Sequence, residues 1–117
     1  MTARSHTLLV LMLFSEVGEL DAPTRIRAGS QRDSVGPLGE GVHDFIKAAE
    51  LVVPASEHRP VVHATGAPGD AFLVHPLTVH AAQEHLGERP RFMAQMPFML
   101  AEPLDPEGDT PLARALR

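Results

Sequence analysis

Val61-Val62-His63-Ala64-Thr65, then Ala67-Pro68-Gly69-Asp70, then Ala71-Phe72-Leu73-Val74-His75-Pro76-Leu77-Thr78-Val79-His80-Ala81-Ala82, is the stretch on which the fold turns. Its first five residues alternate as a half-buried strand does. Pro68-Gly69-Asp70 is a strong turn signal, because proline presets φ, glycine reaches positive φ and aspartate bonds its own backbone. Ala71–Val74 then forms a second strand. Pro76 cannot donate to a ladder and belongs at an edge or bulge; Thr78–Ala82 continues beyond it. Short strands in quick succession, separated by turn residues, predict a mainly β fold.

The flanking sequence extends this reading. Leu8–Phe14 is a continuous apolar run, the pattern of a strand covered on both faces. Thr24–Arg27 alternates as a strand with Thr24 and Ile26 on one face, and Arg91–Leu100 is a last long strand. Gly29 to Gly41 is rich in Gly, Ser and Pro and reads as loop. Val42, Phe45, Ile46 and Ala49 fall at i, i+3, i+4 and i+7, which predicts one short helix with that stripe inward. Glu16, Glu19 and Asp21 read as a solvated acidic turn. In the Pro-rich segment 102–117, Thr110 and Pro111 are placed to cap one final helical turn. The expectation is five or six strands, one short helix and long loops, a sandwich or barrel.

Composition narrows the function classes. The 117 residues carry 10 Lys+Arg against 15 Asp+Glu, a formal charge of −5 that argues against nucleic acid as a partner. Without Cys there are no disulfides, zinc knuckles or thiol chemistry, and a cytoplasmic location is expected. The longest apolar run is far short of the ~20 residues that span a bilayer, so no membrane association is expected. It also lacks the small-residue cleavage site of a signal peptide. Aromatics are only 4%, all Phe, which leaves no stacking platform for bases. Seven His are many for this length, and His is the commonest metal ligand and proton carrier.

Gly69-Asp70 followed by His75-Pro76-Leu77-x-x-His80, and then Arg89-Pro90-Arg91, resembles the C-terminal half of phytanoyl-CoA dioxygenase-like proteins. Upstream, Ala22-Pro23-Thr24-Arg25-Ile26-Arg27-Ala28-Gly29-Ser30-Gln31 is similar to that family's G-x-T-R-x-x-P-G-S-H segment, in the right order. The resemblance runs from about Leu8 to Leu100. It implies a double-stranded β-helix (jelly-roll, cupin-like) over residues 1–101, followed by the tail 102–117. It also implies non-haem Fe(II), 2-oxoglutarate-dependent oxidation or hydroxylation of a small organic substrate. By the resemblance, His80 is the distal His of the iron triad, and Arg91 pairs with the far carboxylate of 2-oxoglutarate. A guanidinium suits that task as a permanently charged, rigid fork. Thr24 matches a position whose hydroxyl reaches the cosubstrate, and His75 is structural.

The departures bear on activity. The family's other two iron ligands form a His-x-Asp pair, and none of the seven His here is followed two residues later by Asp or Glu. His43-Asp44 is adjacent, which sends the two side chains apart. Gln31 stands where the family has His, and Ala28 where it has Pro. The chain therefore reads as a truncated or inactive member, its natural form longer at the N-terminus or stripped of the chemistry. The alternative is a non-catalytic β-sandwich, a binding module or partner subunit. Open sheet edges in half a β-helix further suggest a homodimer paired through them.

Overall fold

The computed structural model describes residues 1–117 as two three-stranded antiparallel sheets with three helices and no closed barrel. The first sheet holds β1 (Thr7–Leu13) at its centre, between β4 (Ala71–Val74) and β6 (Met93–Met99). The second has β2 (Arg25–Arg27) between β3 (Val61–His63) and β5 (His80–Ala81). The helices are α1 (Gln31–Leu38), α2 (Phe45–Ala55) and α3 (Pro111–Arg114). None is long and apolar enough to cross a membrane.

The central position of β1 follows from its composition, since a strand with two neighbours and two faces can bury an unbroken apolar run. Leu11 and Leu13 are almost wholly buried. Leu11 and Val74 of the first sheet pack with Ala64, and Leu9, Phe72, Met93 and Ile26 close around them. This small core joins the sheets face to face. A larger one gathers Leu38 of α1, Ala48 and Val52 of α2, and Leu77 between β4 and β5. Leu104 and Ala113, from the segment 102–117, complete it.

Helices depart most from the sequence reading. There are three, where the sequence reading expects one short helix and a final helical turn, and the added one, α1, lies inside the stretch 29–41 that reads as loop. Its own hydropathy is poor; tertiary bonds hold it instead. The buried Ser34 hydroxyl reaches the carbonyls of Ser30 at 3.1 Å and Leu77 at 2.9 Å. Ser30 Oγ accepts the Val79 amide at 2.8 Å. Asp33 takes two bonds from the Arg59 guanidinium, at 2.7 and 3.0 Å.

The α2 stripe also differs. Asp44 caps the helix by accepting the Lys47 amide at 2.8 Å, so Val42 falls outside it. The buried face is Ala48 and Val52, while Phe45 and Ile46 face solvent. Small Ala48 lets α2 approach α1 closely. As the sequence predicts, Thr110 caps α3, accepting the Ala113 amide at 3.2 Å, with Pro111 at its start.

Hydrogen-bond parity fixes what each open edge offers. Phe14 donates to Phe92 O, and Leu100 to His6 O, so the even-numbered residues 92–100 turn their backbone toward β1. Odd-numbered ones face the free edge, among them Pro97, which has no amide hydrogen to offer there. In the other sheet, Arg27 donates to Val79 O at 2.9 Å. The register Arg25↔Ala81 keeps that parity, so the amide and carbonyl of His80 face the open edge of β5.

Candidate functional site

The register sets His80 on the second sheet beside the strand that follows Thr24, and Arg91 reaches the residues before that strand. His80 lies opposite Ile26. Thr24, two residues earlier on the strand of Ile26, shares that face at a spacing of about 7 Å along the chain; it is buried. Two residues further back, the carbonyl of Ala22 accepts a hydrogen bond from Arg91 Nη1. Gln83 Nε2 donates to Pro23 O at 2.6 Å, and Arg25 Nη2 to Ala82 O at 3.1 Å, so the segment after β5 is stitched along residues 22–25.

His80 is exposed, and its Nδ1 lies 2.9 Å from the carbonyl of Thr78. A carbonyl only accepts, so Nδ1 donates to it, and Nε2 has no hydrogen-bond partner within the chain. His75 is locked by contrast. Its Nδ1 accepts the Leu77 amide at 3.1 Å and its Nε2 donates to Leu112 O at 3.1 Å. Burial lowers its pKa, with the Leu112 carbonyl opposing. It is a structural histidine that ties the β4–β5 connection to α3.

Two hollows flank this sheet. One of about 350 Å³ lies between β2, β5 and α2, bordered by Arg25, Ile26, Phe45, Val53, Val79 and His80. Another of about 420 Å³ opens beside Ile26, Phe72, Val74, His75, Thr78 and Gln31. Gln31 at the second donates to Ala115 O at 3.2 Å, so this side chain serves the C-terminal turn.

The acidic turn is not all solvated. Asp21 is buried, accepting from the Gly18 amide at 2.8 Å and from Arg89 Nη2 at 2.7 Å. The Gly18 bond and the Arg89 cation hold its carboxyl below the ordinary aspartate range, against the opposing effect of burial. Asp21 thereby clamps the loop before β2 to the loop before β6, one residue from the Ala22 carbonyl that holds Arg91. Ala22 itself has φ of 53°, a left-handed conformation uncommon outside glycine. Sequence spacing concealed this clamp, because its partners lie 68 residues apart. His63, given no role from sequence, lies 2.5 Å from Glu19.

The chain's own residues fall short of an iron site. Nowhere do three His, Cys, Asp or Glu side chains gather within metal-binding reach. A facial triad needs three such groups, and no other His, Asp or Glu gathers with His80 into one. For a dicarboxylate cosubstrate the fit is better: only Nη1 of Arg91 is engaged within the chain.

With that arrangement in view, the chain belongs to the phytanoyl-CoA dioxygenase (PhyH) family, which it matches over residues 2–93. The family is generally Fe(II)/2-oxoglutarate-dependent, so the class the chain falls in is dioxygenase-like. No curated protein and no solved structure matches it.

Proposed function

We propose that this chain is the distal-histidine and cosubstrate-binding half of a double-stranded β-helix oxygenase, and that alone it does not turn over. The observation that carries this reading is the state of His80: an exposed imidazole with Nε2 free, on an edge strand whose outward backbone is unpaired. A further strand hydrogen-bonded to β5 is the natural source of the two missing ligands, since neighbouring strands set side chains about 5 Å apart. Arg91 would then hold the far carboxylate of 2-oxoglutarate and Thr24 would contact the same molecule. Iron, when bound, supplies the oxidising chemistry toward a small organic substrate. The cytoplasm, with its reduced Fe(II) pool, is the compartment that suits a Cys-free chain of this kind.

A non-catalytic binding module is the second reading, favoured by the absence of any three-ligand cluster and by Gln31 in place of His. Anaerobic Fe(II) titration with 2-oxoglutarate separates the two. In the first reading, Fe(II) binds weakly, paramagnetic broadening centres on His80, and His80→Ala removes it while His58→Ala does not. Equal effects from both variants would undo the assignment of His80. A tight, stoichiometric coloured complex would refute the claim that the chain alone is inactive.

A further inference from the structure

Asp21, Ala22, Arg91, Pro90 and Arg89 close into a ring. Asp21 accepts from Arg89 Nη2 at 2.7 Å, and Arg91 Nη1 donates to the Ala22 carbonyl. The chain supplies the other links, Asp21 to Ala22 on one side and Arg89 through Pro90 to Arg91 on the other. Donor and acceptor of the Arg91 bond are thus both set by one ion pair. Pro90 stiffens the donor side, because its ring fixes φ. On the acceptor side, Ala22 holds φ of 53° directly before Pro23. A left-handed alanine is strained, and such a conformation persists only where its surroundings impose it. Here both neighbours are tied: Asp21 to Gly18 and Arg89, and Pro23 through its carbonyl to Gln83 Nε2 at 2.6 Å.

The anchor is packed as well as bonded. The Leu86 amide donates to Leu20 O at 2.9 Å, which draws the segment after β5 against Asp21. A Cβ on Gly87 would stand 2.7 Å from Asp21 Oδ1, so only glycine lets that backbone pass. A carboxylate enclosed in this way must be paired, and its one salt-bridge partner is Arg89.

We propose that Asp21 and Arg89 are positioning residues for Arg91, holding one side of its guanidinium on Ala22 O and leaving the rest of the fork to bind the far carboxylate of a 2-oxo dicarboxylate. Arg91 has that ligand only under the oxygenase reading, on which this assignment rests. A guanidinium carries five N–H donors, and the chain engages Arg91 through Nη1 alone. Immobilising a free arginine on binding costs affinity, and an arginine already held avoids most of that cost. The ion pair also decides which of two neighbouring guanidiniums meets the ligand. Arg89 is neutralised by Asp21, whereas Arg91 is bonded only to an uncharged carbonyl.

Side-chain NMR of the full, isotope-labelled chain tests this. In the wild type the two Nη groups of Arg91 should give separate signals, assigned by their loss in Arg91→Lys. Asp21→Asn keeps the side-chain shape, and Arg89 is 58% exposed, so Asp21→Asn and Arg89→Gln should retain the wild-type far-UV circular dichroism. Each should merge the Arg91 signals into the average of a freely rotating guanidinium, while Arg89→Lys, which keeps the cation, should preserve the separation. Ser34→Ala, a buried change in α1, should also preserve it, so lost stability alone does not produce the effect. Added 2-oxoglutarate should shift the Arg91 Nε signal, with affinity about two- to tenfold lower in Asp21→Asn and Arg89→Gln. Arg91 signals that stay separate in both variants, with 2-oxoglutarate still bound, overturn the positioning role and leave the cosubstrate assignment standing. Signals that merge as expected but never respond to 2-oxoglutarate, even in the wild type, overturn the assignment of Arg91 and with it the purpose of the clamp.

Discussion

Replacing Ser34 by alanine removes one buried hydroxyl and adds no atom, so its effect reports on the bond alone. Ser34 is fully buried, and its Oγ is the partner of Leu77 O at 2.9 Å. Leu77 is itself 1% exposed, so water cannot replace the lost donor. Leaving a buried carbonyl unpaired costs about 1–3 kcal/mol. At about 2.1 cal/mol/K of unfolding entropy per residue, a chain this long shifts by about 4 °C per kcal/mol. The expected fall in Tm is therefore about 4–12 °C by differential scanning calorimetry. The loss should also show locally. Val79, whose amide is held by Ser30 Oγ on the same helix, should exchange its hydrogen faster, and with it the approach to His80. A Tm within 1 °C of wild type and unchanged exchange at Val79 would refute the view that α1 is pinned by these serines rather than by its own propensity.

Other outcomes follow from single contacts. His75 has a lowered pKa in the fold, so the unfolded chain binds the extra proton more readily; the stability this neutral ring contributes is present above pH 6.5 and is lost as pH falls below it. Thermal melts from pH 7.5 to 5 should slope downward, and His75→Gln should flatten the slope; an unchanged slope would count against His75. Asp33 is held below its ordinary range chiefly by its bond from Arg59, so its contribution is present above pH 3.8 and fades as pH drops through the lower folded value. Arg59→Ala should then raise the acid-unfolding midpoint, followed by circular dichroism. Gly69 has φ of +96° with open space around its Cβ position, so Gly69→Ala should cost about 1–2 kcal/mol from backbone strain alone. Chemical denaturation reads this directly, and a neutral result would remove the need for glycine in that turn.

How much of this was legible in the sequence depends on where the stabilising contacts lie. Leu8–Phe14 announced a central strand because seven apolar residues in a row have few other places to go, and Ala71–Val74 was bounded by its own Gly69-Asp70 turn and Pro76. Those signals are local. The α1 segment carries Gly36 and Pro37 and little hydropathy, and its helix rests on Leu77, Val79 and Arg59, all distant in sequence. The inward stripe on α2 was misplaced by one position, since period 3.6 fits both Phe45/Ala49 and Ala48/Val52. Only packing against Leu38 decides between them. For the site, the resemblance points to His80, Thr24 and Arg91, but not to the Asp21–Arg89 clamp behind the Arg91 contact. Asp21 looked like one of three acids in a polar turn, and only burial sets it apart.

The pairing of β1 with both β4 and β6 also sets an order of events on the ribosome. Met12 meets Ala71, but Thr7 meets Met99, near the far end of the chain. This central strand is thus made before both of its neighbours, and the second of them reaches it late. For most of synthesis one edge of β1 stands unpaired, and a topology so dominated by distant contacts folds slowly once complete. Such a nascent chain is a natural client for a holding chaperone, and its yield will depend on translation speed and temperature more than its final stability would suggest.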